Sequence, residues 1–258
     1  MFIEEVTKVN DMVFKHQAEL KKPKYKNIDL WDTGWQKIMT APPPANNSTA
    51  TLDDIKKIQQ LLKNTTAITK KQYVDCDEDG SYYIKAYMED NDLEFDVDTI
   101  EYIEDQCSPV IKHYKNFFNR PRPYQLAEAL KMEFNPYVTP TAKSPAYPSG
   151  HAVQSRVVAN YYASKYPDHR EGLFKGAYIC GWGRVEAGLH YPSDYSAGIQ
   201  LADDLMGYMR EEKLNEDAPV NATGPGIAMP ATMKKKRDKR FYELWKSCLL
   251  YTSPSPRD

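Results

Sequence analysis

No stretch of the chain approaches the roughly 18–20 consecutive apolar residues that a membrane-crossing helix needs, which sets membrane-spanning classes aside. The N-terminal run MFIEEVTKVNDMVFKHQ lacks the basic start, apolar centre and small-residue cleavage site of a signal peptide, so the expected location is cytoplasmic and no membrane partner is expected. Cysteine is scarce. Cys76, Cys107, Cys180 and Cys248 are scattered with no C-x-x-C pair, which indicates free thiols rather than a zinc site or a disulfide framework. Charge of one sign is not in excess either: a net charge of −2 makes no overall case for nucleic acid or an anionic membrane. There is no P-loop, dinucleotide fingerprint or H-E-x-x-H motif, so those enzyme classes have no foothold.

What is present is an ordinary globular composition, with 41% apolar and 27% charged residues over 258 positions. Two polar, proline-bearing breaks, APPPANNSTA (41–50) and NEDAPVNATGPGIAMPAT (215–232), bracket a mostly helical middle. Ile55, Ile58, Leu61 and Leu62 give a short amphipathic helix near 53–63. Ile100, Ile103, Cys107, Val110, Tyr114 and Phe117 recur at three- and four-residue steps, predicting a helix over about 97–119 that Pro109 either kinks or restarts. Val153, Val157 and Tyr161 share one further face. Leu173, Ala177 and Cys180 share a second, with Gly176, Gly181, Gly183 and Gly188 allowing close packing. Ile199, Ala202, Leu205, Met206 and Met209 mark a third. Only YVDCDEDGSYYIKAY (73–87) alternates like strands around an Asp-Gly turn. The expected fold is all-α, with at most a small β-hairpin near 73–87.

Three segments outside that pattern need separate readings. DCDEDG (75–80) mimics the first half of a calcium loop, but the twelfth position is Ala86 where a bidentate Glu belongs, so an acidic turn is the expectation. KKKRDKR (Lys234–Arg240) is the only candidate nucleic-acid contact, and a solvated tail is the plainer reading. CLLYTSPSPRD (248–258) resembles the in-frame translation of a sequencing-library adapter, so it is taken as an assembly artefact in place of the natural C-terminus.

The chemistry concentrates in three pieces. In SPAYPSGHAVQSR (144–156), Ser149 is a good N-cap, and Gly150 lets an oxyanion approach the first turn, whose N–H groups are unpaired and partly positive. Such a helix start suits phosphate, and His151 just inside it could pass a proton to a bound group. In KNFFNRPRP (115–123), Lys115 and Arg122 lie seven apart. Arg120-Pro121 is a near-duplicate, but the residue seven before Arg120 is His113, so Arg122 is the better partner. In GRVEAGLHYPSD (183–194), Tyr191-Pro192 breaks the helix and starts the next one. That puts Asp194 within a turn of His190, where its carboxylate can accept from a ring N–H and leave the other nitrogen free to attack. Three cations, an anion-binding helix start, two histidines and a carboxylate match phosphoryl transfer to a histidine nucleophile.

The ordered blocks Lys115-x6-Arg122-Pro123, Pro148-Ser149-Gly150-His151 and Arg184-x5-His190-x3-Asp194 fix ten positions. They resemble the signature of the type 2 phosphatidic acid phosphatase and vanadium haloperoxidase superfamily, and their intervals resemble its soluble acid phosphatase branch. One position departs: the third block usually opens Ser-Arg and here reads Gly183-Arg184, removing a hydroxyl beside Arg184. The resemblance implies a helical bundle of the acid phosphatase/vanadium haloperoxidase type with its core over 96–212. Residues 1–95 would be a helical extension packed on it, and 213–247 a flexible linker and basic tail. It implies His190 as nucleophile, Asp194 as its orienting partner and His151 as acid and base. Lys115, Arg122, Arg184, Ser149 and Gly150 would hold the phosphoryl oxygens. The activity implied is metal-independent hydrolysis of a soluble phosphate monoester with no cofactor, most active at mildly acidic to neutral pH. The alternatives are a haloperoxidase holding vanadate in the same pocket and a non-catalytic phosphate-binding protein.

Overall fold

The computed structural model describes residues 9–16, 19–20, 28–39 and 41–210. The basic run 234–240, the break at 215–232 and the segment 248–258 lie outside the described residues. Among those described, eight α-helices carry the fold and there is no strand, only an isolated antiparallel bridge between Trp31 and Met209. The helices are α1 (Thr49–Lys63), α2 (Ala67–Glu78), α3 (Tyr82–Asp90), α4 (Val97–Phe118), α5 (Pro123–Ala129), α6 (Gly150–Lys165), α7 (Arg170–Glu186) and α8 (Pro192–Met206). No described helix is long and apolar enough to cross a membrane.

Helix α1 starts at Ser48, whose side chain accepts from the Thr51 N–H, and buries Ile55 and Ile58. Helix α4 runs through Pro109 without restarting, burying Ile100, Ile103, Cys107, Val110, Ile111 and Tyr114 on one stripe. Its stop is local: Asn119 takes the left-handed conformation (φ 47°) that asparagine tolerates, and its side chain donates to the Lys15 carbonyl at 2.7 Å. The stripe of α4 packs with Val153, Val157 and Tyr162 of α6, Leu173 and Ala177 of α7, Leu201 and Leu205 of α8, and Ile84 and Met88 of α3. Burial of each such side chain contributes about 1.5–3 kcal/mol.

The expected hairpin at 73–87 is not formed; that segment is the end of α2, a turn at Asp79–Ser81, and α3. Alternation over so short a run also contains helical steps. Tyr73 with Cys76, and Ile84 with Met88, fall inward at intervals of three and four. The Asp-Gly pair therefore joins two helices rather than two strands.

Close approach of α6, α7 and α8 fixes the start of α6. A Cβ on Gly181 would stand 3.1 Å from the Ala152 Cα, and one on Gly198 would stand 2.8 Å from the Ser149 carbonyl oxygen. Gly183, by contrast, meets nothing nearer than the Tyr73 ring at 3.7 Å, so it is not a packing glycine. Gly188 serves the backbone: its φ of 76° turns the chain out of α7 toward His190. Cys76, Cys107 and Cys180 are buried free thiols.

Candidate active site

The three sequence blocks meet at the start of α6. The Arg122 guanidinium reaches from the N-cap of α5 to donate to the Leu189 carbonyl at 2.8 Å, and it lies 3.0 Å from the His190 Nε2. The Ser149 N–H donates to the Asp194 carbonyl at 3.0 Å, joining the second block to the third. A Cβ on Gly150 would touch Ile111 at 3.4 Å and the Lys115 Cε at 3.8 Å, so the helix start lies directly over the lysine of the first block. All eight residues picked from the sequence are thus brought together, and Lys115, Arg122, Ser149, Arg184, His190 and Asp194 are buried.

The hydrogen bonds fix the protonation of His190. A guanidinium can only donate, so the Nε2 facing Arg122 must carry a lone pair. The proton of the neutral ring then sits on Nδ1, 3.3 Å from the Asp194 Oδ2. Asp194 is itself held, as the third residue of α8, by the Tyr191 N–H at 2.9 Å. Burial first, then the charges of Arg122, Lys115, Arg184 and His151, holds the His190 pKa well below the ordinary histidine range. The ring is neutral, with its free electron pair turned toward the cations.

The cations are crowded. Lys115 donates its Nζ to the Pro145 carbonyl at 2.5 Å, and Arg122 Nε donates to the Ser144 carbonyl at 2.8 Å. Burial, then Arg122 and Arg184, pulls the lysine pKa well down, with Asp194 opposing. Burial and then Arg184 pulls Arg122 down to about 10, so it stays charged at neutral pH. Ser149 occupies the N-cap of α6, but its hydroxyl does not cap the helix. It is buried without a hydrogen-bond partner in the cationic cluster. An orphaned hydroxyl, the first-turn N–H groups and three buried basic side chains are donors of the kind that suit an oxyanion with several equivalent oxygens.

His151 sits at the rim, partly exposed. Its pKa is also held well below the ordinary value, by burial and then Arg184, with Asp77 opposing and Lys115 and Arg122 adding to the fall. Both histidines are thus held on the acid side of their usual range.

Two groups in the site were not picked from the sequence. Arg120, passed over as a duplicate of Arg122, pairs its NH1 with the Asp194 Oδ1 at 2.6 Å. Asp77, read as part of a calcium-like loop, pairs with Arg184 at 2.7 Å and accepts from the hydroxyls of Thr139 and Thr141. Arg184 NH2 donates to the same two hydroxyls at 2.9 and 3.0 Å. Burial raises the Asp77 pKa, but those hydroxyls and the guanidinium outweigh it and the carboxyl stays ionised. The other two aspartates of that segment face elsewhere, Asp75 to Lys71 and Asp79 to Lys85. Among the described residues no three His, Cys, Asp or Glu side chains cluster as a metal site.

Residues 107–202 match the family model of the PAP2 superfamily. Among solved structures, the chain is similar to the first transmembrane PAP2 type phosphatidylglycerolphosphate phosphatase from Bacillus subtilis. The two are 19% identical with a TM-score of 0.38, over 64% of this chain and 88% of that one. No curated protein matches.

Proposed function

We propose that the chain is a phosphatase that hydrolyses a soluble phosphate monoester through a phosphohistidine on His190, without a metal ion. The observation that carries this reading is the His190 ring itself. It is held between Asp194 on Nδ1 and Arg122 on Nε2, neutral, with its lone pair in a cluster of cations. An anion-binding site needs no such ring, whereas in-line attack on phosphorus does. The match of residues 107–202 to the PAP2 superfamily model supports the reaction class.

In the first step the Nε2 electron pair forms a bond to phosphorus as the bond to the leaving oxygen breaks. His151 gives that oxygen its proton. Lys115, Arg122, Arg184, the Ser149 hydroxyl and the Gly150 N–H hold the three remaining oxygens. The ring becomes positive on phosphorylation, and the Asp194 carboxylate opposes that charge through Nδ1–H. In the second step the neutral His151 takes a proton from water, the oxygen attacks phosphorus and the P–N bond breaks. His190 is returned neutral, with phosphate as product.

The same donors suit vanadate, which has the shape and charge of phosphate, so vanadate is expected to inhibit. The test is hydrolysis of a generic aryl phosphate by the full chain in EDTA, beside His190→Ala. EDTA-resistant turnover, lost in the variant and inhibited by vanadate, is the expected result. Vanadate-dependent halogenation in bromide and peroxide without hydrolysis would contradict it.

A further inference from the structure

Arg120 is fully enclosed: its side chain is 1% exposed and the carboxylate it meets is fully buried. It does not point at the phosphate pocket. Its NH1 donates to the Asp194 Oδ1 at 2.6 Å and to the Ser193 hydroxyl at 2.9 Å. NH2 donates to the Thr51 hydroxyl at 3.3 Å, and the plane of the guanidinium lies 3.9 Å over the Tyr191 ring. Ser193 in turn donates to the Asp54 Oδ2 at 2.7 Å. Thr51 and Asp54 belong to α1, which precedes the segment that matches the superfamily.

This geometry divides the two oxygens of Asp194 between two tasks. Oδ1 is taken by Arg120, while Oδ2 receives the Tyr191 N–H and faces the His190 Nδ1. A carboxylate held by one oxygen alone can rotate about its last torsion, which is soft for an sp³–sp² bond. Held by Arg120 at the back, it cannot turn Oδ2 away from the histidine.

We infer that Arg120 is a positioning residue for the nucleophile: it clamps the Asp194 Oδ1 so that Oδ2 stays aimed at the His190 Nδ1. Helix α1, through Thr51 and the Ser193–Asp54 bond, holds Arg120 in place. The function of α1 follows from this. It supplies the outer wall of the nucleophile's support while contributing no group to the phosphate pocket.

The inference rests on the phosphatase reading only for its kinetic readouts. The groups facing His190 are Asp194 on α8, Arg122 before α5, Lys115 on α4, Arg184 on α7 and His151 on α6. Removing the Arg120 charge leaves Asp194 less compensated, which favours protonated His190. The acid limb of kcat/KM should therefore move to higher pH. Arg120→Met, which keeps bulk on Tyr191, should lower kcat about 10- to 100-fold, the range seen when the partner of a working ligand is removed. Inhibition by inorganic phosphate should change less than about threefold, since Arg120 touches no pocket oxygen.

The experiment is a pair of measurements on the full chain, wild type, Arg120→Met and Arg120→Lys. The first is the ¹⁵N spectrum of the histidine rings, with His190 assigned by His190→Asn. The second is the pH dependence of aryl phosphate hydrolysis. The expected result is the Nδ1–H tautomer in the wild type and in Arg120→Met alike, since Arg122 still faces Nε2, with the Nδ1–H signal of Arg120→Met moved toward that of a weaker hydrogen bond and an acid limb displaced upward. Arg120→Lys keeps the charge but not the fork, so it should lose kcat at least about fivefold with the limb unmoved. An unchanged Nδ1–H signal and limb in Arg120→Met overturn the inference, as does wild-type kcat in Arg120→Lys if the methionine variant does not fold. Should the wild type hydrolyse nothing, the phosphatase reading fails, while the ring spectra still decide the role of Arg120.

Discussion

The Arg122 guanidinium stands 3.0 Å from Nε2 of His190, and that one contact fixes which nitrogen of the ring carries its proton. Because arginine has no acceptor, the nitrogen facing it must hold the lone pair. In the proposed reaction one side chain would therefore both bind the phosphoryl oxygens and prepare the nucleophile. Arg122→Lys should separate these tasks. It keeps a charge in the pocket but loses the fork that spans Nε2 and the Leu189 carbonyl. The expected outcome is a fall in kcat of at least about tenfold with a smaller rise in KM, measured by steady-state hydrolysis.

The ion pair between Asp77 and Arg184 carries the second prediction. Asp77→Ala leaves a buried guanidinium without its counter-ion, a change that costs about 3–5 kcal/mol where it has been measured. Thermal unfolding should therefore occur at a markedly lower temperature. Asp77 is also the charge that holds the His151 pKa up against Arg184, Lys115 and Arg122. In Asp77→Asn the alkaline limb of activity should move to lower pH, which a loss of stability alone would not produce.

The pH dependence of the wild type is the third. His190 must be neutral to attack, so the acid limb follows its pKa, which lies well below the usual histidine value. His151 must be protonated to serve the leaving oxygen, and its pKa in the free enzyme is likewise depressed. The maximum of kcat/KM should fall on the acid side of the ordinary histidine range. A bound phosphoryl group brings negative charge beside His151 and raises its pKa, so the alkaline limb of kcat should lie above that of kcat/KM. Profiles of both parameters for one alkyl phosphate, whose leaving oxygen needs the proton, decide the point.

Two glycines give a paired prediction. Gly198→Ala places a Cβ 2.8 Å from the Ser149 carbonyl oxygen, a backbone atom that cannot step aside without moving the start of α6. It should destabilise by about 1–3 kcal/mol and lower kcat/KM. Gly183→Ala meets only the Tyr73 ring at 3.7 Å and should be neutral or stabilising by up to about 1 kcal/mol, as Gly to Ala inside a helix usually is. Denaturant unfolding and hydrolysis of both variants test it.

These predictions mix groups that were legible in the sequence with groups that were not, and the difference has a physical cause. Lys115, Arg122, Ser149, Gly150, His151, Arg184, His190 and Asp194 stood out because chemistry-bearing residues gather beside the breaks that Pro123, Pro148 and Pro192 make in the helical pattern. Helices α1, α4, α6, α7 and α8 followed from apolar spacing, and α4 ends within a residue of its expected limit. The stretch 73–87 misled because Asp-Gly serves a helix–helix turn as readily as a hairpin, and Tyr73 and Tyr83 fit either period. Arg120 and Asp77 were out of reach for another reason. Their partners, Asp194 and Arg184, lie 74 and 107 positions away, and local pattern holds no trace of such pairings. The seven-residue helix α5, which presents Arg122, was hidden by its brevity.

The central claim is that phosphorus is transferred to His190, and rapid-quench labelling tests it most directly. A ³²P-labelled aryl phosphate would be mixed with wild type, His190→Ala and His151→Ala, and stopped in alkali, where a phosphohistidine survives. An aryl oxide leaves without a proton, so His151→Ala should form the intermediate but fail to hydrolyse it, and should carry the most label. The wild type should carry transient label on His190, lost on acid treatment, and His190→Ala none. Hydrolysis that persists in His190→Ala, or turnover by the wild type with no label trapped in any protein, would contradict the account.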